Sequence, residues 1–214
     1  MIREDLGRPA STTTIKRLLA IGVLGVLALL LVQQAQAAES ANALTKEEER
    51  AKAIFKELVE TDTTHSTGDT ALAATRMAKH LLGAGFPAED VRVIENAPKK
   101  GNLVARYRSP APTKKPILFL AHIDVVEANP EDWNLPPFEF IEEGGYYYGR
   151  GTVDDKDEAA IAVANFISLR EQGFVPNRDI IIALTADEEG GAENGVVYLL
   201  ENHRELVDAA FVIN

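Results

Sequence analysis

The sequence contains no cysteine and is poor in basic residues, and each feature excludes some classes of function. Without cysteine there is no disulfide framework, no thiolate metal site and no cysteine nucleophile. The 22 Lys and Arg residues stand against 33 Asp and Glu residues, which gives a formal net charge of −11. A protein that binds nucleic acid needs a basic face to displace counterions from phosphates, so we expect no nucleic-acid partner.

Long hydrophobic runs are also scarce, and the one exception lies near the N-terminus. Residues 18–32 are apolar, follow Lys16 and Arg17, and precede Ala35-Gln36-Ala37, which is typical of a secretory signal. As a helix this run would rise about 22 Å, less than the roughly 30 Å hydrocarbon core of a bilayer. The sequence predicts a signal peptide over residues 1–37, a secreted or periplasmic protein, and no stable membrane anchoring after cleavage. An uncleaved signal anchor is the alternative.

The rest of the chain alternates between segments typical of helices and of strands. Helices are predicted at residues 45–60, 70–82, 156–170 and 196–206, and strands at 91–94, 103–107, 117–121, 179–186 and 209–214. A β-hairpin is predicted around Gly144-Gly145. This order predicts an α/β fold, with helices on both faces of a mixed, mostly parallel sheet. In such folds functional groups lie beyond the carboxyl ends of the strands.

Three polar motifs stand at the edges of these elements: His122-Ile123-Asp124 after a strand, Asp154-Asp155 before a helix, and Glu188-Glu189 after another strand. Imidazole and carboxylate groups are ligands of divalent metals. Within the glutamate pair, one carboxylate could bind a cation while its neighbour handles protons. Each motif also has a simpler explanation, namely a strand-end histidine bonded to its neighbour, acids favoured at a helix start, and a solvated acid pair.

The spacing of the first motif indicates how its two side chains could cooperate. Residues two apart on an extended chain point the same way, so Asp124 and His122 share a face. The Asp124 carboxylate could accept the second N–H of the His122 imidazole and fix its tautomer.

Taken together and in this order, the three motifs resemble the di-zinc metallopeptidase family that includes carboxypeptidase G, aminoacylase and succinyl-diaminopimelate desuccinylase. The resemblance covers about residues 45–214. The glycine-X carboxypeptidase-like and N-acyl-amino-acid hydrolase members are the most similar, on the Asp132-Trp133 and Tyr148–Thr152 stretches. The resemblance implies a zinc-exopeptidase-like catalytic domain.

The resemblance also implies a role for each residue. His122 would bind one metal, Asp154 would bridge two metals and precede a cis peptide bond, and Glu189 would bind the other metal. Asp124 would hold His122, and Glu188 would be the general base. Glu188 would act on the water that attacks an amide carbonyl, and would pass its proton to the leaving nitrogen. The implied cofactor is zinc, two ions per complete site, with cobalt or manganese as substitutes. The implied substrate is a peptide, cleaved at its C-terminal residue, or an N-acyl amino acid.

The sequence departs from the family pattern at two places. Asp157 stands where the family usually has glycine. The family also has a further carboxylate ligand, a lid and dimerisation domain and a final histidine ligand beyond the position of Asn214. Residues 38–214 are therefore expected to be the N-terminal part of an incomplete catalytic domain. We expect little or no turnover from this chain, and a homodimer in the full-length form.

The remaining histidines offer no clear substitute for the final ligand. His65 lies in a polar loop and could approach the site. His80 and His203 are expected on the surfaces of helices.

Two other functions are compatible with parts of the pattern. A metal-poor, non-catalytic remnant of the family would bind peptides without cleaving them. Metal content together with hydrolysis of acyl-amino acids separates it from an enzyme. A glycosidase could use Asp154 and Glu188 as an acid pair, but this leaves His122 and Asp124 without a role. Sensitivity to a chelator would distinguish that glycosidase from a metallohydrolase.

Overall fold

The computed structural model describes residues 44–214, so the predicted signal peptide at residues 1–37 lies outside the described residues. Its helices are α1 (Lys46–Val59), α2 (Thr70–Gly83), α3 (Lys156–Glu171), α4 (Gly195–Asn202) and α5 (Arg204–Val207). Its strands are β1 (Val91–Ala97), β2 (Lys100–Tyr107), β3 (Ile117–His122), β4 (Ile141–Glu143), β5 (Tyr146–Tyr148), β6 (Ile180–Thr185) and β7 (Phe211–Ile213). No helix in this part of the chain is long and apolar enough to cross a membrane.

Five strands form the main sheet, in the order β1-β2-β6-β3-β7. Strand β6 pairs in parallel with β3, which pairs in parallel with β7. Strand β2 is antiparallel to both of its neighbours, β1 and β6. Four of the five strands therefore run in one direction, and the predicted mixed, mostly parallel sheet is confirmed. Strands β4 and β5 form the predicted hairpin.

Helices cover both faces of the sheet, as predicted. Successive side chains of a strand point to opposite faces, and the apolar residues of β6 are buried by helices on each face. Ile182 and Leu184 pack in a cluster with residues of α1, α2 and α3. Ile181 and Ala183 pack on the other face with Leu199 of α4 and with a residue of α5. An apolar strand that is buried on both faces explains the continuous hydrophobic run before Thr185.

The prediction of one helix over residues 196–206 is wrong, because the helix is interrupted at His203. This residue has φ −140° and ψ 34°, ends α4 and begins α5. Its ring lies 5.7 Å from the ring of Tyr198, and the Asn202 amide donates to the Tyr198 carbonyl. Asparagine and histidine are weak helix formers, so two of them in succession favour the end of a helix. His203 therefore lies in the break and not on a helix surface.

Truncating Leu58 in the helical layer is expected to lower the free energy of unfolding by about 2–5 kcal/mol. Leu58 of α1 is 0% exposed in the larger cluster, so alanine would leave a cavity there. Leu72 of α2 is 41% exposed, so Leu72→Ala is the matched control and should cost ~1 kcal/mol or less. Urea denaturation measures both variants. Equal losses would contradict the assignment of the core to this face.

Candidate metal centre

The carboxyl ends of β3 and β6 bring the predicted ligands together. His122 is the last residue of β3 and lies opposite Thr185, the last residue of β6, so the segment after β6 starts beside the imidazole. Asp154 comes from the loop before α3, and its Oδ1 lies 2.8 Å from His122 Nε2. Ligand atoms of His122, Asp154 and Glu189 all lie within 4.8 Å of one another. The three side chains therefore converge as expected, and their role as ligands stays a prediction.

The Asp154-Asp155 pair enters this centre through a cis peptide bond, which the family resemblance implied. Asp155 occupies the N-cap position of α3, but its side chain makes no capping hydrogen bond. Its Oδ2 accepts the backbone N–H of His122 at 3.2 Å instead. Burial raises the pKa of Asp155 to about 6, and the bond from His122 opposes that rise. Asp155 therefore ties the loop to the end of β3, and helix capping does not explain its side chain.

Asp124 contacts both the imidazole and the acid loop, and its backbone carbonyl lies nearer to the ring than its carboxylate does. Its role in holding His122 stays a prediction. Nδ1 of His122 lies 3.1 Å from the backbone oxygen of Asp124 but 3.7 Å from the carboxylate Oδ1. The other carboxylate oxygen accepts the backbone N–H of Glu189 at 3.0 Å. The loop and the ring therefore contact different oxygen atoms of Asp124. Asp124 is buried, and its Oδ1 has no hydrogen-bond partner.

The electrostatics of the cluster suit a cation. Burial lowers the pKa of His122, but the charge of Asp124 and the bonds to Asp124 and Asp154 raise it above its ordinary value overall. Burial and then the charge of Asp154 raise the pKa of Glu189. A divalent cation among these groups would replace the repulsion between carboxylates by attraction. One imidazole nitrogen and several carboxylate oxygens are also a donor set that zinc accepts, so the residues fit a metal.

Glu188, the predicted general base, lies at the same imidazole. Its Oε2 is 3.9 Å from His122 Nε2, and its side chain is 54% exposed. The carboxylate therefore has access both to the centre and to solvent. Its role as a base stays a prediction, because Glu188 and Glu189 are both close to the ring.

Lys156 is a residue of the site region that the sequence reasoning did not single out. It is fully buried, and its Nζ donates to the carbonyl of Thr61 at 2.8 Å. Burial lowers the pKa of Lys156 to about 7, against the charges of Asp62 and Asp124. The sequence feature that could have identified Lys156 is its position directly after Asp154-Asp155, since a basic residue is not favoured at the start of a helix. The neighbouring Asp157 lies outside the group of three candidate ligands.

Asp187 is a second missed residue, and it precedes the glutamate pair. It is buried, has φ 58°, and its Oδ1 accepts from Lys100 Nζ at 2.6 Å. Burial acts to raise the pKa of Asp187, but the bonds from Lys100 and from the Glu193 N–H outweigh burial. The pKa of Asp187 therefore lies below its usual value. His65 reaches this carboxylate, with Nδ1 3.5 Å from Oδ1, and does not join the three candidate ligands. The sequence feature that could have identified Asp187 is its position directly before Glu188-Glu189, which makes three acidic residues in succession.

His80, expected on a helix surface, lies on α2. Its Nε2 is 2.6 Å from a carboxylate oxygen of Glu57 on α1. It therefore links two helices away from the centre.

The residues of the centre lie in a part of the chain that is similar to a known family. Residues 118–214 match the family described as Peptidase family M20/M25/M40. Over 100 residues the chain is 41% identical to N-fatty-acyl-amino acid synthase/hydrolase PM20D1 of Xenopus tropicalis. The aligned stretch covers 46% of this chain and 20% of that protein. The human protein of the same name is 36% identical over 105 residues, covering 48% and 20%. The chain thus spans about a fifth of the length of these relatives.

Solved structures share the fold at lower identity. Human carnosine dipeptidase 1 superposes with a TM-score of 0.63 at 21% identity, covering 78% of this chain and 38% of that chain. The M20 family metallo-carboxypeptidase Sso-CP2 from Sulfolobus solfataricus gives a TM-score of 0.61 at 22% identity, covering 79% and 37%. The expected zinc-exopeptidase-like α/β fold is therefore confirmed. Residues 118–214, which contain all five predicted site residues, are the part of the chain that matches peptidase family M20/M25/M40.

Proposed function

We propose that this protein is a metal-dependent hydrolase that cleaves an amide bond, and that His122, Asp154 and Glu189 hold zinc. The observation that carries the proposal is the convergence of these three ligand atoms within 4.8 Å at the carboxyl ends of β3 and β6. The family domain and the hydrolases named among its relatives support the same chemistry. We further propose two ions bridged by Asp154, as the family resemblance implies, with cobalt or manganese as substitutes.

Each residue of the centre would have a separate task. A bound divalent metal would polarise the amide carbonyl and acidify a water. Nδ1 of His122 faces the Asp124 carbonyl, which can only accept, so Nδ1 carries a proton and the lone pair of Nε2 would be available to a bound metal. A histidine whose second nitrogen donates in this way is held in one tautomer. The Asp124 carboxylate holds the backbone of Glu189.

Glu188 would move the proton. Its carboxylate would accept a proton from the attacking water and deliver it to the leaving nitrogen. The exposed side chain near His122 supports this role, because the group can exchange protons with solvent between turnovers.

Among amide substrates we propose an N-acyl amino acid first and a peptide second. The relatives with the highest sequence identity given above are named for N-fatty-acyl-amino acids, whereas the dipeptidase and the carboxypeptidase share the fold alone. Because the chain spans about a fifth of those relatives, we also propose that residues 38–214 are the N-terminal part of a larger catalytic unit. The homodimer proposed for the full-length form belongs to that unit.

Chelation tests the proposal directly. Zinc should copurify with the protein, and a form that hydrolyses N-acyl amino acids should lose its activity in a chelator and regain it with zinc. Metal analysis and hydrolysis assays measure both effects. Hydrolysis that persists without metal would contradict the proposal, and a glycosidase would show that result on glycosides. Binding of N-acyl amino acids without metal or hydrolysis would favour the peptide-binding remnant.

We propose export through the signal peptide at residues 1–37, and N-terminal sequencing tests it. Secreted or periplasmic material should begin at Ala38, directly after Ala35-Gln36-Ala37. Exported protein that begins at Met1 would contradict cleavage and would favour the uncleaved anchor.

A further inference from the structure

The loop that carries Glu188 and Glu189 into the centre is organised around one buried carboxylate. Asp187 has φ 58°, a left-handed conformation that an L-residue with a side chain adopts at a cost. Its Oδ2 accepts the N–H of Glu193, and its backbone carbonyl accepts from the Asn194 amide at 3.3 Å. A Cβ on Gly191 would lie 1.5 Å from Oδ2, so the loop wraps closely over this group. Its partners must therefore hold the turn against its backbone preference.

Strand β2 supplies the strongest of these partners. Strands β2 and β6 pair antiparallel, and their register ends with Leu103 opposite Leu184. Continued by three residues, this register places Lys100 opposite Asp187. The Nζ of Lys100 lies 2.6 Å from Asp187 Oδ1, and the two side chains are only 10% and 1% exposed. Strand β2 therefore extends beyond the end of β6 and anchors the loop that follows.

A second side chain on the same strand holds the start of the loop. Asn102 is fully buried, and its Oδ1 accepts the N–H of Ala186 at 2.9 Å. Its amide donates to the carbonyl of Ile94 and to Asn96, so its orientation is determined by three bonds. A Cβ on Gly195 would lie 1.8 Å from the same Oδ1, so α4 begins in contact with this asparagine.

We propose that Lys100 is a positioning residue, whose buried ion pair with Asp187 holds the loop in the conformation that presents Glu188 and Glu189 to the candidate metal centre. Removal of the lysine would leave the Asp187 carboxylate buried without its cation, and the loop would open to solvate it. The functional part of this inference rests on the proposed metal-dependent hydrolysis. The structural part, that Lys100 holds the loop, does not require a metal.

The test compares Lys100→Met with a matched control on the same strand. Arg106 of β2 pairs with Asp179 at 3.0 Å, at the opposite end of β6, and both side chains are mostly buried. Arg106→Met therefore removes a cation of similar burial from the same strand without touching the loop. Lys100→Arg retains the positive charge and should restore the wild-type behaviour in part.

Hydrogen exchange in the metal-free full chain measures the loop itself. In Lys100→Met, the amides of residues 186–194 should exchange at least about tenfold faster, because local opening limits their exchange. Arg106→Met should leave them unchanged. Unchanged exchange in Lys100→Met, or an equal rise in both variants, would overturn the inference. If Lys100→Met does not fold, the double variant Lys100→Met/Asp187→Asn removes both charges. The loop then lacks the ion pair that holds it and should still exchange faster than in wild type, and wild-type exchange in this variant would overturn the inference.

Metal binding then measures what the loop positions. Lys100→Met should weaken zinc binding by roughly 10–100-fold, the usual effect of losing a group that orients a ligand. The visible spectrum of bound Co²⁺ should change in Lys100→Met, recover in Lys100→Arg and stay constant in Arg106→Met. If the wild-type chain binds neither ion, the proposed function fails, while the exchange experiment still decides whether Lys100 holds the loop. If zinc binds equally to wild type and Lys100→Met, only the positioning inference fails.

Discussion

Replacing Glu188 with glutamine is expected to lower kcat by on the order of 10²–10⁴ while zinc stays bound, because the amide cannot accept the proton of the attacking water. Glutamine keeps the size of the side chain and can still form hydrogen bonds. The side chain is half exposed, so the substitution should cost little stability. The loss should therefore appear in the chemical step.

The experiment requires a form of the protein that hydrolyses N-acyl amino acids. Single-turnover kinetics at saturating substrate isolates the chemical step, and metal analysis on the same samples reports zinc content. A variant that retains the wild-type kcat would show that Glu188 is not the base. A variant that loses both zinc and activity would show that Glu188 is a ligand.

Replacing Glu189 with glutamine is expected to weaken zinc binding more than the roughly 10–100-fold that follows the loss of an outer partner. The substitution removes one of the two carboxylate oxygens among the three ligand atoms that converge on the centre. A neutral amide also leaves the charge of a divalent ion less well compensated. Activity should fall with zinc content, and added zinc should restore part of the rate.

The two glutamates are each other's best control, since both lie in one loop and undergo the same chemical change. Zinc titration of the metal-free chain measures affinity without any need for turnover. Equal loss of zinc in Glu188→Gln and Glu189→Gln would mean that ligand and base are wrongly assigned. The experiment must test for that outcome, because Glu188 Oε2 lies only 3.9 Å from His122 Nε2 and is close enough to the centre to act as a ligand.

The organisation of the loop explains why two adjacent acids could have different tasks. The backbone N–H of Glu189 is bound to the Asp124 carboxylate, whereas Glu188 has an exposed side chain. The loop is anchored on one side by Asp124 and on the other by the Lys100–Asp187 pair. Anchors on both sides of an acid pair restrict where each carboxylate can reach.

The sequence by itself determined the elements and the residue types of the site. Apolar runs of strand length and helical periodicity predicted most helices and strands to within a few residues, because these patterns follow from local geometry. His122 and Glu188-Glu189 were placed at strand ends for the same reason. The break at His203 was missed, because the apolar pattern continues from α4 into α5 and weak helix formers alone do not mark where a helix ends.

Only the tertiary structure decided which groups meet. The sequence does not show that β3 lies beside β6, and this neighbour relation is what places His122 opposite Thr185. Strand order depends on burial between segments distant in sequence, which no local pattern reports. The same holds for Lys100, whose partner Asp187 lies 87 residues away.

Hydrogen-bond partners were also decided by the fold, because several acceptors compete for each donor. The spacing of His122 and Asp124 indicated a bond from the imidazole to the carboxylate. In the structure the carbonyl of Asp124 takes that position and the carboxylate binds the Glu189 N–H. A buried polar group is costly without a partner, so the arrangement that satisfies the most donors is preferred. That choice depends on the loop after β6 reaching Asp124, which the tertiary structure alone determines.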